Sequence, residues 1–176
     1  LAPTPCNPAI GGVGKGQVVR EIDALGGVMG SFADLAGTQF RTLNLSKGHA
    51  VYSTRVQVDK EIYSQVATEY VQNHPYINLI SDKLINIKKG PAGYEIFLES
   101  GTKYITQKII ITTGTFLNGL LHTGVNQVVG GRVDCQASKG LGDLLKEIKL
   151  KTARFKTGTP PRVAKDSIEY DKLDTQ

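Results

Sequence analysis

Four glycines near the start of the chain lead directly into a helical pattern. They are Gly11, Gly12, Gly14 and Gly16, with Lys15 among them. Glycine allows backbone conformations that other residues avoid, and the amides at a helix start favour anions. The segment is therefore a candidate loop for a phosphate or a flavin edge, although glycine-rich turns are equally often only structural.

The glycine spacing excludes two familiar nucleotide-binding loops. A P-loop has the pattern Gly-x-x-x-x-Gly-Lys-Ser/Thr, and the dinucleotide fingerprint is Gly-x-Gly-x-x-Gly after a strand. Here the order is Gly-Gly-x-Gly-x-Gly, and no strand pattern precedes it. The chain opens Leu-Ala-Pro-Thr-Pro, so we expect it to begin within a fold.

Cys6 and Asn7 stand immediately before this loop. A thiol near a helix N-terminus and near Lys15 can have a lowered pKa and act as a nucleophile. A buried, unreactive cysteine is the commoner alternative. Cys6 is therefore the candidate catalytic residue.

Composition limits the class of protein. The chain has 176 residues, of which 40% are hydrophobic and 21% charged, as in one globular domain or a segment of a larger one. Its two cysteines, Cys6 and Cys135, are too few for a disulfide scaffold, and the three histidines show no metal-ligand spacing. There is no apolar run of the roughly 20 residues that span a membrane, and no signal peptide pattern. We expect a soluble, intracellular protein without a metal.

The net charge of +5 suits an anionic partner. Basic residues are concentrated between positions 139 and 162, where the only acidic residues are Asp143 and Glu147. The seven are Lys139, Lys146, Lys149, Lys151, Arg154, Lys156 and Arg162. A solvated helix face is the alternative interpretation.

Apolar periodicity predicts two main helices. The first runs from Val18 to Ala36 and is interrupted at Gly26-Gly27. The second runs from Val56 to Asn73, with a capping box formed by Thr54 and Gln57. Its expected buried face consists of Val58, Ile62, Val66 and Tyr70.

The sequence pattern in the middle of the chain predicts short strands. Four of them, at 77–80, 84–88, 94–99 and 103–106, predict an antiparallel meander within residues 76–107. The run 108–113 predicts a strand buried on both faces, and its end at Thr113-Gly114-Thr115 is where open α/β sheets bind ligands.

Less regular structure is expected towards the end. Residues 114–137 are interpreted as a functional loop region. Residues 141–148 are predicted to form a short helix, for which Ser138 is the candidate cap. Residues 153–161 read as a strand entering a rigid turn.

Seven motifs in order closely resemble the MnmG/GidA family, the tRNA uridine 5-carboxymethylaminomethyl modification enzymes. They are Cys6-Asn-Pro-Ala-Ile-Gly-Gly-Val-Gly-Lys-Gly16, Arg20-Glu-Ile-Asp-Ala-Leu-Gly-Gly27, Leu43-Asn-Leu-Ser-Lys-Gly48, Thr54-Arg-Val-Gln-Val-Asp59, Thr113-Gly-Thr-Phe-Leu-Asn-Gly119, Gly130-Gly-Arg132 and Lys156-Thr-Gly-Thr-Pro-Pro-Arg162. His49 and Cys135-Gln136 depart from the family pattern.

The resemblance implies a flavoprotein that binds FAD, is reduced by NADH and takes a carbon from methylenetetrahydrofolate. Such enzymes modify C5 of the wobble uridine of tRNA with a GTPase partner. They are homodimers, cytoplasmic in bacteria and mitochondrial in eukaryotes.

The resemblance also implies an α/β fold and site residues. Residues 1–165 would be an incomplete, glutathione-reductase-like Rossmann-type FAD-binding domain without its Gly-x-Gly-x-x-Gly unit, and 166–176 a polar tail or the start of a further segment. By position, Asn7, Gly11, Gly12, Gly14, Lys15 and Gly16 would lie by the flavin ring, Leu84 and Ser138 would contact FAD, and Thr113, Gly114 and Thr115 would lie along the dinucleotide.

Two other functions are compatible with the sequence. One is a catalytically inactive relative that binds nucleic acid through the basic residues of 139–162. The other is a flavin oxidoreductase for a small substrate, since this scaffold supports many reactions.

Overall fold

The computed structural model describes residues 1–4, 7–114, 116–131, 137, 141, 145, 149–158 and 163–174. These residues form an α/β structure whose strand pairs are all antiparallel. They divide into two compact units, one of Leu1–Asn78 with Lys156–Gln176 and the other of Leu79–Phe155.

Two short helices open the first unit, α1 (Lys15–Ala24) and α2 (Met29–Ala36). The break between them lies where the sequence predicted it. Gly26 has a positive φ of 82°, its amide donates to the Asp23 carbonyl, and the Gly27 amide donates to the Ile22 carbonyl. This pair of bonds is a Schellman motif, which ends a helix at a left-handed glycine.

The sheet of the first unit consists of β1 (Ala9–Gly11), β2 (Gly37–Leu43) and β3 (Ser53–Val58), in the order β1-β3-β2. Val56 and Val58 of the central strand are buried with Ile10 of β1. They pack with residues of α2 and of helix α3 (Lys60–Asn73), namely Phe32, Ala33, Ala36, Tyr63 and Ala67. The core therefore lies on one face of this sheet.

The sequence prediction for the start of α3 was wrong. Residues 53–58 form strand β3, and Asp59 caps the helix by accepting hydrogen bonds from the Glu61 and Ile62 amides at 2.8 and 3.0 Å. There is thus no capping box at Thr54 and Gln57. The predicted end at Asn73 is confirmed.

The predicted buried face of α3 was also offset. Tyr63 and Ala67 are in the core and Val66 packs against it, whereas Ile62 is 47% exposed. Tyr70 is 42% exposed, but its ring packs edge-on against that of Phe32, with the ring centroids 5.3 Å apart. The offset arises because Val58, which was counted as the first residue of that helical face, belongs to strand β3.

The second unit contains the predicted meander, with strands β4 (Leu84–Gly90), β5 (Gly93–Leu98) and β6 (Lys103–Thr106). Ile87 and Leu98 are its buried residues. Residues 77–80 form no strand, which corrects one of the four predicted runs.

The apolar run 108–113 is not a strand in this structure, and Ile110 is 89% exposed. An apolar sequence forms a buried parallel strand only between neighbouring strands, and no described strand pairs with it. The predicted strand at 153–161 is likewise absent from 153–158, and its remaining residues lie outside the described part.

The expected loop region 114–137 contains a hairpin of β7 (Leu120–Thr123) and β8 (Asn126–Val129). Of the predicted helix 141–148 only Leu141 and Leu145 are described, both helical. Short 3₁₀ helices occur at Leu45–Lys47, His49–Val51, Lys165–Ser167 and Tyr170–Lys172. Within the described ranges, no helix has the length and apolar character needed to cross a bilayer.

Replacement of Asp59 tests the corrected helix start. Asp59→Ala should lower the melting temperature, because it leaves two first-turn amides without their acceptor, whereas Asp59→Asn should retain most of the stability. The amides of Ile62 and Glu61 lower the pKa of Asp59. A carboxylate with a depressed folded pKa stabilises above its unfolded pKa near 4, and that contribution is lost as the pH falls through the folded value.

The measurement is thermal unfolding of both variants from pH 7 to pH 2. The wild type should lose its advantage over Asp59→Asn on acidification. An advantage that stays constant with pH would show that the Asp59 charge does not act at this helix start.

Candidate functional site

Three glycines of the loop have backbone angles that residues with a Cβ rarely adopt. Gly11, Gly12 and Gly14 have φ values of 94°, 93° and 78°. L-residues with a Cβ rarely adopt such angles, so these three positions require glycine. The chain can therefore turn sharply from β1 into α1.

Strand β3 holds the loop in place. The Gly12 amide donates to the Thr54 carbonyl at 2.9 Å, and the Ser53 hydroxyl donates to the Gly12 carbonyl. Ser53 is 1% exposed, and among the described residues the Gly12 carbonyl is the hydrogen-bond partner that satisfies its hydroxyl. A Cβ on Gly11 would overlap the Thr54 carbonyl, and one on Gly16 would overlap the Ser53 hydroxyl.

The start of α1 offers its amides without a capping side chain. Gly14 is the N-cap, no side chain accepts from the first turn, and that turn has no acidic residue. The space around Gly14 is open, because no atom would lie within 4 Å of an added Cβ. The Gly16 amide already donates to the Gly12 carbonyl at 2.7 Å. The other first-turn amides, with the positive end of the helix dipole, suit an anionic or electron-rich ligand.

Lys15 adds a positive charge at the same place. Its ammonium donates to the Ala9 carbonyl at 3.0 Å, and loss of solvation lowers its pKa. Lys15 as a residue is exposed, and its ammonium lies against the strand that precedes the loop. This hydrogen bond thus links the start of α1 to the start of β1, on either side of the glycine loop.

Arg55 of β3 fixes the segment that follows Cys6. Its guanidinium donates to the side-chain oxygens of Asn7 at 3.1 Å and of Gln57 at 3.3 Å. The Val58 amide also donates to the Pro8 carbonyl at 2.7 Å. The backbone adjoining the candidate nucleophile is therefore bound to the same strand as the glycine loop.

The structure brings together one group of predicted site residues, namely Asn7, Gly11, Gly12, Gly14, Lys15 and Gly16. Leu84 begins β4 in the second unit, and Thr113 and Gly114 lie there in irregular structure. Cys6, Thr115 and Ser138 lie outside the described residues.

Sequence reasoning missed the residues of β3 that hold the loop, Ser53, Thr54 and Arg55. The signal was the alternation of polar Ser53, Arg55 and Gln57 with Val56 and Val58, which is a strand pattern. The apolar positions were instead counted as the start of a helix.

Of the basic residues between 139 and 162, the described ones are Lys149, Lys151, Arg154 and Lys156, and all are exposed. Arg154 donates to the Asn118 carbonyl at 3.2 Å. In the part of the chain that can be described, no three His, Cys, Asp or Glu residues are grouped as metal ligands.

Alanine replacement of two loop glycines should separate backbone strain from steric overlap. Gly14→Ala meets open space and should cost only the strain of a positive φ, about 1–3 kcal/mol. Gly11→Ala adds overlap with a backbone carbonyl and should cost at least about 2 kcal/mol more. The free energy of unfolding in urea measures both. If both variants lost the same free energy of unfolding, the close packing of the loop against β3 would be contradicted.

The comparisons with known proteins agree on one family. The family model described as "Glucose inhibited division protein A" matches residues 1–176. A relative from Bdellovibrio bacteriovorus, named tRNA uridine 5-carboxymethylaminomethyl modification enzyme MnmG, is 47% identical over 170 residues, which are 95% of this chain and 26% of the relative. A relative of the same name from Syntrophotalea carbinolica is 43% identical over 174 residues, 98% of this chain and 28% of the relative.

Solved structures give the same result. Two crystal forms of Aquifex aeolicus GidA match with a TM-score of 0.87 and 40% identity. They cover 98% of this chain, which corresponds to 28% and 29% of theirs. The chain thus spans little more than a quarter of the length of these relatives. Because the family model matches this chain from Leu1 to Gln176, the chain belongs to the GidA family.

Proposed function

We propose that the chain is part of an FAD-dependent enzyme that adds a carboxymethylaminomethyl or aminomethyl group to C5 of the wobble uridine of tRNA. The observation that carries this proposal is 43–47% identity, across nearly the whole chain, to relatives named for that modification. Because the chain spans about a quarter of those relatives, the activity belongs to the whole protein that carries it.

The glycine loop is suited to FAD. Its uncapped helix start, its lack of acidic residues and the open space at Gly14 fit the electron-rich edge of a flavin or a phosphate. In a glutathione-reductase-like, Rossmann-type domain, Leu84, Thr113, Gly114, Thr115 and Ser138 would add further FAD contacts. The bound flavin would supply hydride transfer.

Cys6 is the proposed nucleophile. Its thiolate would form a bond to C6 of uracil, and the electrons of the C5–C6 double bond would move towards C5. C5 would then attack a one-carbon electrophile. Loss of the C5 proton and expulsion of the thiolate would restore the double bond and free Cys6. The hydrogen bond from Arg55 to the Asn7 side chain would help to hold the residue next to Cys6 for this step.

The resemblance supports further assignments for the whole protein. NADH would reduce the flavin and methylenetetrahydrofolate would supply the carbon. A GTPase would be the protein partner, and the enzyme would be a homodimer in the cytoplasm of a bacterium or in mitochondria.

A second candidate is a catalytically inactive relative that binds nucleic acid. The exposed cations Lys149, Lys151, Arg154 and Lys156 favour it, because polyanions bind such residues in a salt-dependent way. Flavin content separates the two candidates, since the inactive binder needs no flavin.

Replacement of the two cysteines tests the proposal. In the protein that carries this chain, Cys6→Ala should lower tRNA modification at least about 100-fold, because the variant lacks the thiolate that adds to C6 of the uracil. Cys135→Ala is the matched control and should modify tRNA at the wild-type rate. Both variants should retain the flavin absorbance band.

Modification is measured by mass spectrometry of digested tRNA. A normal rate in Cys6→Ala would refute the role of Cys6. A wild-type protein that binds tRNA but purifies without flavin would instead favour the inactive binder.

A further inference from the structure

Arg55 of the central strand β3 lies along the segment that enters the glycine loop. It is the register partner of Gly11 in β1, and its Cδ is 3.9 Å from the position that a Cβ on Gly12 would occupy. Its guanidinium donates to the side chain of Asn7 at 3.1 Å. The arginine therefore extends from the glycine loop to the residue that follows Cys6.

The guanidinium of Arg55 is held by neutral groups. Its Nη2 donates to the side-chain oxygens of Asn7 and Gln57, and neither side chain carries a charge. The donors at Nε and Nη1 have no partner among the residues that the structure describes. Arginine stays protonated at any physiological pH, so these two bonds fix the direction of the side chain and leave its charge in place.

Arg55 lies on the face of β3 that points away from the core. Successive side chains of a strand alternate between faces, and Val56 and Val58 occupy the core face. Arg55 itself is half-buried, and the three strands of the sheet contain no acidic residue. A ligand bound over Gly12 therefore comes close to a permanent positive charge that its neighbours hold in one direction.

We infer that Arg55 stabilises the reduced form of the flavin at the glycine loop. This inference rests on the proposed function, in which that loop binds FAD. A nicotinamide donor transfers a hydride to N5 of the oxidised flavin, which leaves NAD⁺ and an anionic reduced flavin whose negative charge collects at N1 and O2. A fixed cation beside the ring favours this anion over the neutral oxidised form, because it is placed where charge develops. Arg55 thus raises the reduction potential of the cofactor.

A purely structural role for Arg55 leads to a different expectation. Its bonds to Asn7 and Gln57 do not depend on the redox state of the flavin, so a structural arginine would support both forms equally. Stabilisation by charge acts on the form that carries negative charge. A comparison of the two redox forms therefore separates the roles, which a measurement of activity would not do.

Replacement of Arg55 in the flavin-loaded protein that carries this chain tests the inference. The probe is sulfite, whose sulfur bonds to N5 of the oxidised flavin and bleaches its absorbance band. The electron pair of that bond leaves negative charge at N1 and O2, as in the reduced flavin. Arg55→Gln should weaken sulfite binding about 10-fold, because one unit charge near the ring is lost. The two-electron reduction potential should fall by about 30 mV, which corresponds to a tenfold change in the equilibrium constant. Arg55→Lys keeps the charge and should stay within about 3-fold of the wild type.

A second variant neutralises Arg55 without removing it. Gln57→Glu places a carboxylate where the neutral oxygen accepts from Arg55 at 3.3 Å, so the guanidinium keeps its partner while the net charge of the pair is lost. It should weaken sulfite binding in the same direction as Arg55→Gln, and it decides the test if Arg55→Gln does not fold.

The matched control is Arg20→Gln, which removes the same charge from α1, where Arg20 donates to the Thr54 hydroxyl. Arg20 is exposed, so solvent and salt screen its charge, and this variant should bind sulfite within about 2-fold of the wild type.

Unchanged sulfite affinity and reduction potential in Arg55→Gln would overturn the inference. Equal weakening of oxidised and reduced FAD binding in that variant would also overturn it, because Arg55 would then serve only cofactor binding or the fold. The proposed function fails in a different way, namely if the wild-type protein holds no flavin and modifies no tRNA. A wild type that holds flavin and modifies tRNA, beside variants with unchanged sulfite affinity and potential, would contradict only the role of Arg55.

Discussion

The rest of the first unit depends on the two hydrogen bonds that join the glycine loop to β3. The Thr54 carbonyl accepts from the Gly12 amide, and the buried Ser53 hydroxyl donates to the Gly12 carbonyl. Both bonds require backbone approaches that a Cβ at Gly11 or Gly16 would prevent. They fix where β1 ends and α1 begins, and hence where the first-turn amides lie. The core on the other side of β3 makes that strand a rigid support.

The charged side chains of the glycine loop and of the sheet of the first unit are all positive. From Asn7 to Gly16 and through the three strands of the sheet there is no acidic residue, whereas Lys15, Arg41 and Arg55 are cationic. The uncapped helix start adds a partial positive charge. Such a surface repels cations and lowers the cost of bringing an anion out of water. A flavin cofactor and a polyanionic tRNA are both consistent with such a surface.

Local patterns predicted the features that local interactions create. The glycine pair that ends α1 and the strands β5 and β6 are of this kind, because turn residues mark their limits. Strand β3 was misassigned, since Val58, Ile62, Val66 and Tyr70 keep a helical spacing across Asp59, where strand gives way to helix. The Ser53–Gly12 bond joins residues 41 apart in the chain, so no local pattern shows it. The strand predicted at 108–113 failed because a buried strand depends on its neighbours.

Amide hydrogen exchange is the most direct test of the claim that the glycine loop faces the flavin. We predict that FAD slows exchange at Val13, Gly14 and Lys15 in the protein that carries this chain, because the ligand covers amides that no side chain caps. The amides in the middle of α3 should exchange at the same rate with and without FAD. Equal exchange at Val13, Gly14 and Lys15 in the flavin-loaded and flavin-free protein would contradict the claim.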